Sequence, residues 1–282
     1  MTAIAFVGLG AIGLPMASRL ASAGHTVVGV DPFEAARKRA ADAGIAAVEN
    51  ISDVADADIV VVMVATPDQL ATLVADAADS VNDQRWIVMS TVGPESVVAA
   101  ADRLRTAGAW VVDAPVTGGV ARALTGELVI FASGLADDVA AVVPVLKVLG
   151  TPRAVGERIG DGQAIKVVNQ HLCSVHIVAA AEALSLAEKL GLDKGSVLDL
   201  VQGGAGGSWM LSDRGPRMLL DIDAPVTSTI NIFVKDSGLV ADAAAAGGAQ
   251  VPLLDVARQR YLEAVDRGLA TRDDSRVIET YG

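Results

Sequence analysis

Gly160-Asp161-Gly162-Gln163-Ala164-Ile165-Lys166-Val167-Val168-Asn169-Gln170-His171 divides this 282-residue sequence into two unlike halves. Upstream, short Val/Ile runs alternate with helical patterns; downstream no convincing strand remains, and the chain reads as helix and connecting loop. Past Gly162 a helical run continues without Gly or Pro to Leu190. Lys166 and Gln170 are four apart and share one face of it, with Asn169 beside them. An amine and two amides thus sit in a row near the start of an almost wholly apolar helix. A helix apolar all round is expected to be buried, and burial lowers a lysine's pKa toward the range that suits a base. The competing reading is a lysine snorkelling to water from a half-buried helix, as most lysines do. The upstream sequence decides against it.

Ala3 to Val7 is a short apolar run of buried-strand type, followed at once by Gly8-Leu9-Gly10-Ala11-Ile12-Gly13 and a helical pattern to Gly24. The three glycines have separate tasks: a tight turn, close approach of the backbone to a pyrophosphate, and close packing of helix on strand. The helix N-terminus adds amide donors and a partial positive charge for the phosphates. On its own such a motif is weak. Here a second strand, Thr26 to Val30, ends in Asp31, where an acid accepts hydrogen bonds from the adenine-ribose diol. That makes an ordinary glycine turn in a βαβ unit the poorer reading. A carboxylate at Asp31 also repels a 2′-phosphate, and Pro32 stands where an arginine could receive one, so NAD is expected rather than NADP. Arg37, Lys38 and Arg39 are expected to be a solvated helix face.

The alternation continues with strands at Ile59 to Val64, Trp86 to Met89, Val111-Val112, Leu128 to Ala132 and Arg153 to Val155. Helical patterns fill the gaps at Gln69 to Ala78, Glu95 to Ala107 and Asp137 to Leu149. The expected fold is therefore an α/β, Rossmann-type, doubly wound N-terminal domain over residues 1–160, followed by an all-α domain over residues 161–282. Ligands of such a sheet lie beyond the strand C-termini. Thr91 occupies that position and is a candidate contact for the nicotinamide end; capping the helix that begins near Pro94 is an almost equal alternative. Asp113-Ala114-Pro115-Val116-Thr117-Gly118-Gly119 also follows a strand, and its successive glycines expose backbone amides suited to a carboxylate, although a plain loop would look the same. Downstream, helices are expected at Lys194 to Val201, Trp209 to Leu220, Asn231 to Ala246, Pro252 to Arg267 and roughly Asp273 to Thr280. Lys235-Asp236 within them reads, by itself, as a surface charge pair worth little.

Composition bounds the function. A hydrophobic content of 52% with 20% charged residues is that of a globular chain with ample core. No apolar run approaches membrane-spanning length, and Met1-Thr2-Ala3 enters a strand with no basic leader; neither a membrane association nor a signal peptide is expected, and the cytoplasm is the expected location. A net charge of −12 disfavours nucleic acid, which wants a basic patch. Cys173 is the one cysteine, and His171 and His176 are five apart on different helix faces, so no metal site is expected.

With these motifs in this order and spacing, the chain resembles the β-hydroxyacid dehydrogenase family over essentially its whole length. Gly8 to Leu20 is similar to that family's cofactor fingerprint, departing at Ile12, where methionine is usual, and at Arg19, where asparagine is usual. Asp113 to Gly119 with Gly126-Glu127-Leu128 looks like the substrate motif, with Thr117 where serine is commoner. The stretch around Lys166 looks like the catalytic motif, with Gln170 where a second asparagine is usual, although tartronate semialdehyde reductases also show Asn-Gln. Lys235-Asp236 matches a further motif, whose lysine approaches the cofactor and active site. Within the family, Gly207 to Met210, Ile232 to Asp242 and Asp273 to Ser275 look most like the L-threonate dehydrogenases.

The resemblance implies NAD-dependent oxidation of a small hydroxy acid, L-threonate being the first expectation. Lys166 would be the general acid/base, Asn169 and Gln170 its orienting partners, and Thr117, Gly118 and Gly119 the carboxylate site. Gly8, Gly10, Ala11, Ile12, Gly13, Asp31, Thr91 and Lys235 would meet the cofactor. It also implies a homodimer or homotetramer built on the helical domain. The rival readings are a 3-hydroxyisobutyrate or phenylserine dehydrogenase, a tartronate semialdehyde reductase and, in another class, a non-catalytic NAD-binding protein. The related imine reductases usually lack the lysine that Lys166 supplies.

Overall fold

The computed structural model describes residues 1–81 and 83–282. By its internal contacts the chain forms two compact units, Met1–Lys166 and Val167–Gly282. In the first unit the strands are β1 (Ala3–Val7), β2 (Thr26–Val30), β3 (Ala46–Val48), β4 (Ile59–Val62), β5 (Arg85–Val88), β6 (Trp110–Asp113), β7 (Val116–Thr117), β8 (Leu128–Ser133) and β9 (Gly150–Gly156). Its helices are α1 (Gly13–Ser22), α2 (Glu34–Asp42), α3 (Pro67–Ala77), α4 (Pro94–Thr106), α5 (Gly119–Thr125) and α6 (Ala136–Leu149).

The sheet runs in the order β3-β2-β1-β4-β5-β6-β8-β7, with β9 beside β8. From β3 to β6 every pairing is parallel, whereas β8 runs antiparallel to β6 and carries β9 with it. All four residues of β4 are buried, as a parallel strand covered on both faces requires. One face packs Phe6, Met16, Leu20 and Leu146 together; the other packs Val60, Leu70, Trp86 and Leu104. Helices therefore cover both faces, the doubly wound arrangement expected from the alternation of short apolar runs with helical patterns.

Three short elements depart from that expectation. The edge strand β3 has three residues and no distinctive apolar pattern. The segment read as a possible plain loop contains the two-residue strand β7, whose Val116 and Thr117 pair with Ile130 and Val129, and the helix α5, which begins at Gly119. Strand β7 depends on pairing with β8, which follows shortly after α5.

The second unit is helical. Helix α7 (Asp161–Lys189) opens in the first unit and continues into this one, followed by α8 (Lys194–Val201), α9 (Trp209–Met218), α10 (Ile230–Gly247) and α11 (Pro252–Asp266). The final segment, Asp274–Tyr281, expected to be helical, is a 3-10 helix. Asp273 accepts from the Ser275 amide, which supports the tighter turn. The core gathers Ile177, Ala181, Leu184, Met210, Phe233 and Tyr261, the last two rings stacked at 5.4 Å.

Helix α7 corrects one expectation. It is not buried all round: Ser174, Ile177, Ala181 and Leu184 line a buried stripe, while Val168 (62% exposed), Leu172 (49%) and Leu186 (57%) face outward. An apolar composition on every face here reflects one packed face and one apolar surface.

Candidate active site

The cofactor fingerprint is built at the C-terminal ends of β1, β2 and β4. Gly8 has φ +93° and donates its amide to the Val30 carbonyl at 2.9 Å; a Cβ on it would lie 2.4 Å from the Met63 carbonyl oxygen. A Cβ on Gly13 would meet the Gly8 carbonyl oxygen at 1.9 Å, so helix α1 crosses the turn at a distance only glycine permits. Gly10 differs from both. A Cβ there would meet nothing within 4 Å, and Gly10 and Ala11 are exposed at the start of α1, with Ile12 as its N-cap residue. Backbone amides at the head of a ten-residue helix, beside space that a side chain would occupy, fit a pyrophosphate.

Asp31 ends β2 with its carboxylate buried. Its Oδ2 accepts from the Leu9 amide at 2.8 Å and its Oδ1 from the Phe33 amide at 3.0 Å, so the acid holds the glycine turn in shape. Arg37 is not a purely solvated residue as expected. Its guanidinium donates to the carbonyls of Asp31 and Pro32, each at 2.8 Å, and meets Glu49 at 3.3 Å. That ties down the nearest cation that could serve a 2′-phosphate. Lys38 and Arg39 are exposed, as expected of a solvated face.

Thr91 follows β5 and is half-buried. Gly93, not Thr91, is the N-cap residue of α4, so the capping alternative is not what the structure adopts. The amides of Val92 and Gly93 are instead taken by a side chain from α7: Gln163 Oε1 accepts both, at 3.0 and 3.1 Å. Gln163 Nε2 donates to the Ser90 carbonyl at 2.9 Å and to Asp113 Oδ1 at 3.0 Å. Asp113, at the end of β6, also accepts from the Gly160 amide, the Gln163 amide and the Ser133 hydroxyl at 3.0–3.1 Å. Burial pushes the Asp113 carboxyl up, and the hydrogen bonds from Gln163, Ser133 and Gly160 pull the other way. The first turn of α7 is thus capped by a carboxylate from another strand. Sequence reasoning assigned no role to Gln163 and read Asp113 only as the start of a motif.

Lys166 lies one turn after Gln163 and is 6% exposed, so it does not snorkel to water. A Cβ on Gly162 would meet the Phe131 carbonyl oxygen at 2.5 Å and Pro115 Cδ at 3.1 Å, which shows how closely this turn lies on the segment leading to Thr117. Gly118 and Gly119 have φ of +133° and +67°, and Arg122 folds back over Gly118. The backbone there requires glycine at both positions.

Within the second unit, Asn169 Nδ2 donates to Gln170 Oε1 at 2.9 Å, and Gln170 Nε2 donates to Asp236 Oδ2 at 2.5 Å. Lys235 Nζ lies 2.8 Å from Asp236 Oδ1. Asp236 is 4% exposed, so Lys235-Asp236 is not the surface charge pair that the two residues suggest by themselves. Asn169, Gln170, Asp236 and Lys235 form one continuous polar row. Among the described residues, no group of three or more His, Cys, Asp or Glu is placed to hold a metal, and no helix is long and apolar enough to cross a membrane.

Two family models match. Residues 3–166 match the NAD-binding domain of 6-phosphogluconate dehydrogenase, and residues 160–281 match the domain described as NAD-binding of NADP-dependent 3-hydroxyisobutyrate dehydrogenase. The L-threonate dehydrogenase of Cupriavidus necator is 34% identical over 284 residues, covering 99% of this chain and 95% of that one. The chain belongs to the β-hydroxyacid dehydrogenase family. A probable 3-hydroxyisobutyrate dehydrogenase of Mycobacterium bovis is also 34% identical, over 99% of this chain and 98% of its own length. A crystal structure of a 3-hydroxyisobutyrate dehydrogenase from Salmonella typhimurium superposes with a TM-score of 0.91 at 31% identity, covering 98% and 99% of the two chains. This β-hydroxyacid dehydrogenase is accordingly an NAD-dependent oxidoreductase, with its fingerprint in the first unit.

Proposed function

We propose that this dehydrogenase oxidises L-threonate at C2 to the 2-keto acid, with Lys166 as general base. The observation that carries the reading is Lys166 itself: an amine buried in the second turn of α7, one turn beyond Gln163, which is fixed to the strand ends where a Rossmann sheet receives its ligands. NAD, when bound, supplies the hydride acceptor. Lys166 takes the proton of the reacting hydroxyl and steadies the developing alkoxide; in the reverse direction the protonated amine returns it. The amides of Thr117, Gly118 and Gly119 hold the substrate carboxylate. Asn169 and Gln170 orient the lysine and the polyol chain, a positioning contribution, with Asp236 holding Gln170 in turn. Gly8, Gly10, Ala11, Ile12, Gly13, Asp31, Thr91 and Lys235 are assigned to the cofactor.

Two things support threonate over 3-hydroxyisobutyrate. Several of the most similar relatives are L-threonate dehydrogenases, although the probable 3-hydroxyisobutyrate dehydrogenase matches at the same identity and coverage, and two amides near the lysine suit hydroxyls better than a methyl group. The test is NADH formation on L-threonate, D-glycerate, 3-hydroxyisobutyrate and phenylserine, repeated with NADP. The expected result is the highest kcat/KM with threonate and NAD, because a carboxylate at Asp31 would accept from the ribose diol and repel a 2′-phosphate, and Arg37 is already engaged. Activity on 3-hydroxyisobutyrate or phenylserine with none on threonate would discard the polyol-acid reading. A preference for NADP would discard the role given to Asp31.

We further infer a homodimer or homotetramer, formed through the outward apolar face of α7 at Val168, Leu172 and Leu186. Sedimentation equilibrium should return at least twice the chain mass, and Leu172→Asp should lower it; a monomeric parent protein contradicts the assembly.

A further inference from the structure

We propose that Gln163 is a positioning residue for Lys166, fixing the base relative to the loop on which the nicotinamide end is expected; this rests on Lys166 being the base. Gln163 is fully buried, and its amide is completely engaged by two separate segments, the loop after β5 and the end of β6. Its oxygen takes two successive amides of the loop after β5, and its nitrogen donates both to that loop and to Asp113 at the end of β6. Gln163 and Lys166 are three residues apart, so their side chains leave α7 on the same side. The loop residue Thr91 lies between Ser90 and Val92, both held by Gln163. The side chain that sets the height and rotation of the first turn of α7 is therefore the one that sets the loop carrying the cofactor candidate. Asp113 completes the clamp by capping the Gly160 and Gln163 amides, a carboxylate at a helix N-terminus where the backbone partial charge favours it. Displacement of a reacting group by about 1 Å can cost about 10²-fold in rate, so a fixed first turn has a direct kinetic consequence.

The experiment compares Gln163→Met, Gln163→Glu and Lys166→Ala with the parent enzyme, using the best hydroxy acid from the substrate panel and its isotopologue deuterated at the oxidised carbon. Methionine keeps the volume of Gln163 and removes its hydrogen bonds. Glutamate keeps the acceptor for Val92 and Gly93 but faces Asp113 with a second carboxylate. For both Gln163 variants kcat per active site should fall by at least about tenfold, with substrate KM and NADH affinity moving by less than about threefold. The deuterium isotope effect on kcat should rise, because hydride transfer becomes more fully rate-limiting. Gln163→Glu should also recover turnover as pH falls, since a protonated glutamate can again donate to Asp113; the parent should show no such limb. If Gln163→Met fails to fold, Gln163→Glu alone carries the test. Normal kcat in a folded Gln163 variant, or a loss that matches the fraction of inactive sites with an unchanged isotope effect and pH profile, overturns the inference. Lys166→Ala separates the two levels: if it turns over normally, the base assignment falls and takes the positioning role with it. An inactive Lys166→Ala beside normal Gln163 variants sinks the positioning role alone.

Discussion

Replacing Lys166 by alanine is expected to lower kcat by at least about 10²-fold and up to about 10⁴-fold, the range that a general acid–base group contributes. Lys166 is 6% exposed, so bulk water cannot readily stand in for the lost amine. Binding should survive. Most of the residues assigned to the dinucleotide lie on the Gly8–Gly13 turn and at Asp31, where the Asp31 carboxylate accepts from the Leu9 and Phe33 amides in bonds that do not involve the lysine. NADH affinity, read from its fluorescence, is therefore expected to stay close to that of the parent. Folding should survive too, most securely in Lys166→Met, which keeps the length of the side chain. Lys166→Arg is the more informative control: it keeps a cation in place, but a guanidinium stays protonated at working pH and cannot accept the hydroxyl proton. A mutant that keeps near-normal turnover takes the lysine out of the mechanism. A mutant that loses NADH binding along with turnover would show that Lys166 supports the site as a whole.

The central sheet was legible because its strands are short, continuous Val/Ile runs. That pattern belongs to parallel strands buried on both faces, and it held for β1, β2, β4, β5 and β6. What escaped was whatever takes its shape from a partner outside its own segment. Strand β7 has two residues and exists because β8 pairs with it; α5 grows from two glycines that read equally well as a loop. The site divides in the same way. Spacing alone put Lys166 and Gln170 on one face, but Gln163 belongs to that face as well, one turn earlier. A glutamine among apolar residues was the available signal, and nothing local said that its partners were Ser90, Val92, Gly93 and Asp113. The segments resembling threonate dehydrogenases turn out to hold up the fold in large part. Ser208 accepts from the Leu211 amide as the cap of α9, and Asp273 and Asp274 are fully buried in ion pairs. Their likeness to one subgroup therefore speaks to packing of the helical unit more than to the substrate. Asp236, which holds Gln170, is the part of that likeness that reaches the candidate site.

Those ion pairs set the second large expectation, a loss of about 3–5 kcal/mol of folding stability in Arg214→Met. Arg214 meets Asp274 at 2.9 Å and Asp213 at 2.5 Å, while Arg217 meets Asp273 at 3.0 Å. Burial works against the charged guanidinium of Arg214, but Asp274 and Asp213 more than offset it, and its pKa is raised. Removing the arginine leaves the Asp274 carboxylate with no solvent access and only Arg217, at 3.9 Å, as a remote counter-charge. Asp274→Asn should cost less, because Arg214 keeps its pair with the partly exposed Asp213. The double variant Arg214→Met, Asp274→Leu should recover much of the loss, since an apolar replacement of a buried pair avoids the desolvation of both charges. Urea unfolding followed by tryptophan emission and by far-ultraviolet circular dichroism reads the midpoint. Trp209 is the reporter within the helical unit once Trp110 is replaced by phenylalanine and the Trp86 signal is subtracted using a Trp209→Phe control. The same cluster predicts an acid limit. Burial alone would raise the Asp273 carboxyl, yet hydrogen bonds from the Thr227 amide, Ser275 and Arg217 hold it down at about 2. A carboxyl depressed on folding contributes stability that is complete above its unfolded value of about 3.9 and disappears as pH falls toward about 2. The urea midpoint of the parent should therefore drop across that interval, and Asp273→Asn should flatten the drop. An Arg214→Met midpoint equal to the parent's would mean that water or a rearranged Arg217 satisfies Asp274, and that the pair does not stabilise the helical unit.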